Sequence, residues 1–268
     1  MLLGNREVQN YFKNLIKNRA LSHAYLFYGP EGIGKKAAAL DICESIAGPV
    51  SVNPDFKIFD KGGEEIHIAD VRDLKNFIHL TSFGEYKTAV LNNAHNLGHE
   101  ASNALLKVLE EPPGKSIIFL ITHLPKLMLP TVISRCQKIR FRPLKEKEIL
   151  GYLLAEKKVK KEVAEPAAKL AGGSLGLALE LAGDFDNFQK NFNLLNKLLK
   201  SDFKERFEEA KKISSSADDL KKTARDWFIY SASLSDKRLA RELLYLNDII
   251  SKPQFNHKMF LENFLAKI

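Results

Sequence analysis

A glycine-rich loop followed by two lysines is the first stretch whose residue types and spacing suggest chemistry. The segment Gly29-Pro-Glu-Gly-Ile-Gly-Lys-Lys36 has the Gly-x-x-x-x-Gly-Lys spacing of phosphate-binding loops. Backbone N–H groups of such a loop turn toward phosphate oxygens, and its lysine meets the outer phosphates. The predicted nucleotide-binding residues in this loop are Gly29, Gly32, Gly34, Lys35 and Lys36. The alternative is that the glycines only keep a tight turn inherited from a nucleotide-binding ancestor.

The last position of this motif does not suit a magnesium nucleotide. A serine or threonine hydroxyl normally binds Mg²⁺ there, whereas Lys36 brings a second positive charge that would repel the metal. An apolar strand at 24–28 precedes the loop and a helix at 36–47 follows it, which is the context that the motif requires. We therefore expect the phosphate-loop fold and leave open whether ATP or ADP binds to it.

Two further strands should bring polar residues to the same edge of a sheet. The apolar run Ile117–Ile121 predicts a strand buried in a parallel sheet, and Thr122 follows it. Residues 86–91 predict another strand, which ends at Asn92 and Asn93. Ligands of open α/β sheets bind outside the carboxyl ends of the strands, so these residues are candidates for the same site.

The composition limits the class of protein. A chain of 268 residues with 45% hydrophobic residues can bury a sizeable core, and its formal charge of +8 favours polyanions such as nucleic acid. Two cysteines, Cys43 and Cys136, cannot make a four-thiolate metal site. No apolar run approaches the roughly 20 residues of a membrane helix. We expect a cytoplasmic protein with no membrane partner.

Two linked motifs carry a family resemblance. The first is NALLKVLEEPP at 103–113, where Pro112 and Pro113 should end a helix, and the second is LPTVISRCQ at 129–137. At this spacing they resemble the AAA+ clamp-loader family of bacterial DNA polymerase III, over residues 1 to about 180. The resemblance implies an α/β fold, with a P-loop RecA-like domain at 1–142, a helical lid at 143–183 and an all-α collar domain at 184–268.

The resemblance also implies that the ATPase centre of this chain is defective. Working members place an aspartate and a glutamate where this chain has Asn92 and Asn93, and an amide neither holds Mg²⁺ well nor activates water. Together with Lys36 these are three separate losses in a degenerate Walker B and P-loop centre. Thr122 occupies the place of a γ-phosphate sensor, although it could simply cap the next turn.

Arg135 of the Ser-Arg-Cys segment is the residue that the family uses in trans. Such an arginine reaches the nucleotide of a neighbouring subunit and can increase its hydrolysis rate by about 10³–10⁵. It is therefore the predicted catalytic residue, acting on a neighbour. The alternative is a salt bridge within this chain or across an interface.

Relatives often carry a four-cysteine zinc module before a Pro-Asp pair. Here Pro54-Asp55 is present but three of the cysteines are missing, so we predict neither zinc nor any other metal. The region 48–66 that would hold the module is predicted to be irregular. Farther along, helices are expected at 145–158, 160–171 and 174–183, and then up to residue 268. Ser251-Lys-Pro253 is expected to interrupt this last, helical region.

The expected function is that of a non-hydrolysing subunit of the DNA polymerase III clamp loader, which places a sliding clamp on primed DNA during replication. Its implied partners are the other loader subunits in a hetero-oligomer, the clamp, and DNA through the complex. Two alternatives stay open. The chain could be a catalytic AAA+ loader ATPase, or a nucleotide-free scaffold in which Arg135 only stabilises an interface.

Overall fold

The computed structural model describes residues 3–233, 236–250, 252 and 255–268. Ser251 and Pro253 of the predicted interruption thus lie outside the described residues. The strands are β1 (Ala24–Tyr28), β2 (Phe56–Phe59), β3 (Lys87–Leu91), β4 (Ser116–Thr122) and β5 (Gln137–Arg140). The helices are α1 (Arg6–Lys17), α2 (Lys35–Ala47), α3 (Ile68–His79), α4 (His99–Glu110), α5 (Pro130–Ser134), α6 (Glu146–Ala155), α7 (Lys161–Leu170), α8 (Leu175–Gly183), α9 (Phe185–Leu198), α10 (Phe203–Ile213), α11 (Ala217–Ser233), α12 (Lys237–Ile250) and α13 (His257–Lys267).

The five strands form one parallel sheet in the order β2-β3-β4-β1-β5. The register pairs Tyr28 with Thr122 and Leu91 with Leu120. The turns that follow β1, β3 and β4 therefore leave the same edge of the sheet. This arrangement confirms the predicted α/β fold, with the phosphate-loop turn after a central strand.

Helices cover both faces of the sheet because alternate strand residues point to opposite sides. On one face, Leu26 and Leu120 pack with apolar residues of α3 and α4, such as Leu105. On the other face, Phe27 and Phe119 pack with residues of α1 and α2. The central strands are buried on both sides, as the apolar run in β4 predicts.

One expectation about secondary structure is wrong. Residues 48–66 are not irregular throughout, because Phe56–Phe59 forms β2, an edge strand paired in parallel with β3. A second edge strand, β5, occupies Gln137–Arg140, where no strand was predicted. Both strands are short and carry charged side chains that edge positions leave accessible to water, so neither shows the apolar run of a central strand.

The chain divides into two compact units. One runs up to Tyr152 and includes Gly173–Gly176, and the other comprises Leu153–Gly172 and the segment from Leu177 to Ile268. The second unit has its own apolar core of helical residues, which includes the fully buried Trp227. The all-α C-terminal region is therefore confirmed, while the domain limits at 142 and 183 stay a prediction. In the described part of the chain, every helix is too short or too polar to cross a bilayer.

Candidate functional site

The loop between β1 and α2 has the glycine conformations that a phosphate loop needs. Gly29, Gly32 and Gly34 have φ angles of 143°, 72° and 93°. The φ of Gly32 favours glycine, and a Cβ atom there would also force the Ser174 hydroxyl to move. The loop also accepts a hydrogen bond, from Gly176 N–H to the Gly32 carbonyl oxygen at 2.8 Å. The outer part of the loop is therefore in contact with the segment that begins α8.

Lys35, the first residue of α2, folds back onto its own loop. Its ammonium donates to the carbonyl oxygen of Gly29 at 2.7 Å and to that of Pro30. The residue is 7% exposed. Burial disfavours the charged form and lowers the pKa of Lys35 to about 8, although the negative charge of Glu31 acts in the opposite direction. The motif lysine is thus in its loop, with its charge directed at carbonyl groups.

Lys36 and Asn92 converge on a carboxylate that sequence reasoning missed. Lys36 Nζ donates to Asp60 Oδ2 at 2.7 Å, and Asn92 Nδ2 donates to the same oxygen at 3.0 Å. Asp60 directly follows β2. Burial would raise the pKa of Asp60, but the hydrogen bonds from Lys36 and Asn92 outweigh it and hold that pKa below its usual value. Two of the degenerate positions are therefore joined through one ionised carboxylate.

The side-chain amide of Asn93 also forms a hydrogen bond with the segment that follows β2. Its Nδ2 donates to the carbonyl oxygen of Gly62, and Asn96 Nδ2 donates to those of Gly63 and Glu64 at 3.2 and 3.3 Å. Asn93 itself has a left-handed backbone, with φ of 52°. Asn93, which stands where the resemblance places the glutamate of a working ATPase, thus stabilises the loop that follows β2.

Thr122 ends β4 with its side chain buried and bonded. Its Oγ1 accepts the backbone N–H of Leu124 at 3.0 Å, as the capping alternative predicts, and lies 3.1 Å from His95 Nδ1. The His95 ring meets the His123 ring edge to face, with 4.3 Å between their centroids. Burial and the charges of His123 and Lys35 lower the pKa of His95, although Glu31 acts in the opposite direction. His95 is a second residue at this edge that the sequence did not single out.

Neither cysteine belongs to this site. Cys43 packs on one face of the sheet and Cys136 on the other, and both are buried as free thiols. Burial raises the pKa of each thiol to about 12, so both stay protonated at neutral pH. Among the described residues, no group of three or more histidines, cysteines, aspartates or glutamates is arranged to hold a metal ion.

Arg135 is separate from the residues that surround the phosphate loop. It follows α5, and its Nη1 donates to the carbonyl oxygen of Thr131 at 3.0 Å. Its Nη2 donates to Oε1 of Glu110, the last residue of α4. The Arg135 side chain remains 35% exposed. The sequence-predicted residues thus fall into two groups, one at the carboxyl edge of the sheet and one at Arg135.

The chemistry open to the first group is anion binding without metal assistance. The Asp60 carboxylate is neutralised by Lys36, while Asn92 and Asn93 offer only amides. Magnesium prefers carboxylate, hydroxyl and water oxygens, and hydrolysis needs a group that activates water. The second group offers a partly exposed guanidinium, which binds phosphate oxygens strongly wherever they come within reach.

Comparison with known proteins identifies the family. The family model described as "DNA polymerase III, delta subunit" matches residues 4–145. The delta prime subunit of DNA polymerase III from Pseudomonas aeruginosa is 38% identical over 136 residues, which cover 43% of this chain and 42% of that protein. The delta prime subunit from Bacillus subtilis is 33% identical over 167 residues, covering 56% of this chain and 51% of the relative. The aligned part thus spans about half or less of these relatives.

Solved structures agree on the fold. A DNA polymerase III, gamma subunit-related protein from Thermotoga maritima superposes with a TM-score of 0.61 at 21% identity, over 96% of this chain and 97% of that one. The Thermotoga maritima RuvB Holliday junction branch migration motor gives 0.55 at 15% identity, over 92% and 76%. With these neighbours the predicted AAA+ fold class is confirmed. The chain belongs to the DNA polymerase III delta subunit family, and within it resembles the delta prime subunits.

Proposed function

We propose that this chain is a non-hydrolysing, delta prime-like subunit of a DNA polymerase III clamp loader. Its own centre does not turn over ATP, and Arg135 acts in trans on the nucleotide of a neighbouring ATPase subunit. The partners are the other loader subunits in a hetero-oligomer, with the sliding clamp and primed DNA engaged through the complex in the cytoplasm. ATP or ADP at the degenerate phosphate loop is not needed for this role.

One contrast within the chain carries the proposal. Lys36 and Asn92 are bonded to Asp60, and Asn93 is bonded to Gly62. None of these three side chains can itself bind Mg²⁺ well or activate water. Arg135, by comparison, keeps a partly exposed guanidinium at the end of a short helix. A chain that only hydrolysed its own ATP would need the first group intact and would have no use for the second.

The test is the ATPase rate of the reconstituted loader with clamp and primed DNA, comparing wild type with Arg135→Ala in this chain. We expect ATP turnover at the neighbouring site to fall by at least about 10³-fold, because an arginine supplied in trans increases the hydrolysis rate by about that factor. Arg140→Ala is the matched control, since Arg140 is an exposed arginine at the end of β5. Gel filtration establishes that each variant still assembles.

A second candidate function follows from the pair between Arg135 and Glu110. If that ion pair is the whole role of Arg135, the chain is a scaffold, and Arg135→Ala alters assembly or stability while turnover per assembled complex stays unchanged. Mg²⁺-dependent ATP hydrolysis by the purified chain would instead identify a catalytic subunit. A chain that joins no loader would exclude the proposal altogether.

A further inference from the structure

The carboxylate of Glu110 stands at an unusual place on α4. It is the last residue of that helix, where unpaired carbonyl groups already create negative potential. A carboxylate there destabilises a helix unless a cation compensates for it. The compensating cation in this chain is the guanidinium of Arg135, which donates from Nη2 to Glu110 Oε1.

A second helix end holds the same guanidinium. Thr131 lies within α5, near the end of that helix, and its carbonyl oxygen accepts a hydrogen bond from Ser134 Oγ at 2.9 Å. Arg135 Nη1 donates to that oxygen at 3.0 Å. The guanidinium is therefore fixed by one bond from each of two nitrogens, to acceptors on two different helices.

This arrangement leaves donors available. A guanidinium has five N–H groups, and the two bonds to Glu110 and Thr131 use two of them, which leaves three. In the described part of the chain these three have no hydrogen-bond partner, and the side chain is 35% exposed. A phosphate group from outside could accept hydrogen bonds from them while the contact with Glu110 persists.

We propose that Glu110 is a positioning residue for Arg135, holding the guanidinium in the orientation in which it reaches a phosphate of the neighbouring subunit. This inference rests on the proposed trans role of Arg135. A long arginine side chain loses conformational entropy when it is fixed in one orientation. If Glu110 already fixes Arg135 before the reaction, this entropic cost is not paid on reaching the transition state. Glu110 itself touches no nucleotide.

The neighbouring glutamate provides an unusually close control. Glu111 has the same charge and is also exposed, but it caps the helix C-terminus and has no ion pair with Arg135. The two substitutions Glu110→Gln and Glu111→Gln therefore remove one charge each from adjacent positions, and only the first weakens the contact with the guanidinium.

The experiment measures kcat and KM for ATP in the reconstituted loader with clamp and primed DNA. We expect Glu110→Gln to lower kcat by about 3- to 10-fold and to leave KM unchanged, since misplacing a catalytic group acts on the transition state. Glu110→Ala should lower kcat further, and Glu111→Gln should match wild type. In the Arg135→Ala background, Glu110→Gln should have no additional effect, because there is nothing left to position.

The outcomes separate the two proposals. If Arg135→Ala lowers turnover but Glu110→Gln behaves like Glu111→Gln, Glu110 has no positioning role and the trans function stands. If Glu110→Gln raises kcat, the carboxylate restrains Arg135 rather than presenting it, and the inference is wrong. Unchanged turnover with Arg135→Ala removes the proposed function itself. Thermal unfolding of each purified variant shows whether a loss of kcat reflects a loss of folded protein.

Discussion

At the scale of single residues, Lys36, Asn92 and Asp60 form a structural junction at the proposed degenerate centre. Lys36 takes the place of a metal-binding hydroxyl, and Asp60 supplies the negative charge that the ammonium needs. Asn92 donates to the same carboxylate, where an aspartate would repel it. Lys36 and Asn92 therefore suit one another through Asp60, and replacing Asn92 alone by aspartate should be unfavourable.

The junction predicts how a metal site could be regained. In the double variant Lys36→Thr/Asn92→Asp, the new carboxylate at position 92 would face the Asp60 carboxylate. Their separation would be about 3 Å, the present distance between Asn92 Nδ2 and Asp60 Oδ2. The threonine at position 36 would add a hydroxyl, and oxygen ligands of these kinds suit Mg²⁺. We expect the melting temperature of this variant to fall in EDTA and to rise by about 2 to 5 °C when Mg²⁺ is added, as binding stabilises the folded state. Wild type should not respond.

The control for this experiment is Lys36→Thr/Asn96→Asp. It changes the charge equally, but Asn96 faces the carbonyl oxygens of Gly63 and Glu64 instead of Asp60. The same magnesium response in both double variants would mean that the effect is one of general surface charge, and that no site has formed.

At the scale of elements, a buried ion pair joins the start of β2 to β3 and so sets where Asp60 lies. Lys87 Nζ donates to Asp55 Oδ1 at 2.9 Å, and the two side chains are 4% and 3% exposed. Gly84 N–H donates to the other carboxylate oxygen at 2.6 Å. The Pro-Asp pair noted in the sequence is thus part of the support for the sheet edge.

Removing one partner of this pair should be costly. We expect Lys87→Met to lower the free energy of unfolding by about 3–5 kcal/mol, because it leaves a buried carboxylate without its cation. Lys115→Met is the matched control, since Lys115 pairs with Glu85 at the surface and such pairs contribute about 0–1 kcal/mol. Urea denaturation at neutral pH measures both; equal losses would show that burial of the pair is unimportant.

The same pair has a pH dependence of defined sign. Burial would raise the pKa of Asp55, but the hydrogen bonds from Gly84 N–H and Lys87 together outweigh it and lower that pKa. A carboxyl group whose pKa is lower in the folded state stabilises fully above its unfolded pKa, and this contribution is lost as pH falls through the folded value. Between pH 5 and pH 2, roughly, wild type should therefore lose more stability than Asp55→Asn.

At the scale of the whole molecule, each compact unit has a core of its own. Leu105 is buried in the core of the first unit, and Trp227, the one tryptophan of the chain, is buried in the core of the second. Tryptophan fluorescence therefore reports on the second unit, whereas far-UV circular dichroism reports on both.

This difference makes the independence of the units measurable. We expect Leu105→Ala to destabilise the first unit by about 2–5 kcal/mol through the cavity it leaves, and to shift the circular dichroism transition in urea. The fluorescence transition of Trp227 should stay in place, while Leu243→Ala in the second core should move it. If Leu105→Ala shifts both probes together, the chain unfolds as one cooperative block.

Much of the fold follows from local sequence. The apolar run in β4, the loop that begins at Gly29 and the Pro112-Pro113 stop each depend on neighbouring residues, so their elements lie within a few positions of the prediction. The edge strands β2 and β5 were not predicted, because a strand exposed on one side needs no continuous apolar run. Their place is decided by pairing with β3 and β1, which are distant in sequence.

By itself, the sequence determined which residue types stand at the candidate site and at Arg135, and so which chemistry we propose for each. Whether a side chain can bind Mg²⁺, activate water or bridge phosphate oxygens is a property of the residue type. These properties can therefore be inferred from the sequence for Lys36, Asn92, Asn93 and Arg135. Only the tertiary structure decided their partners. Asp60 reaches Lys36 because the end of β2 and the start of α2 lie at the same edge of the parallel sheet. Glu110 reaches Arg135 because α4 and α5 end near each other. Contacts between residues 24 and 25 positions apart depend on strand order and helix packing, which no local pattern specifies.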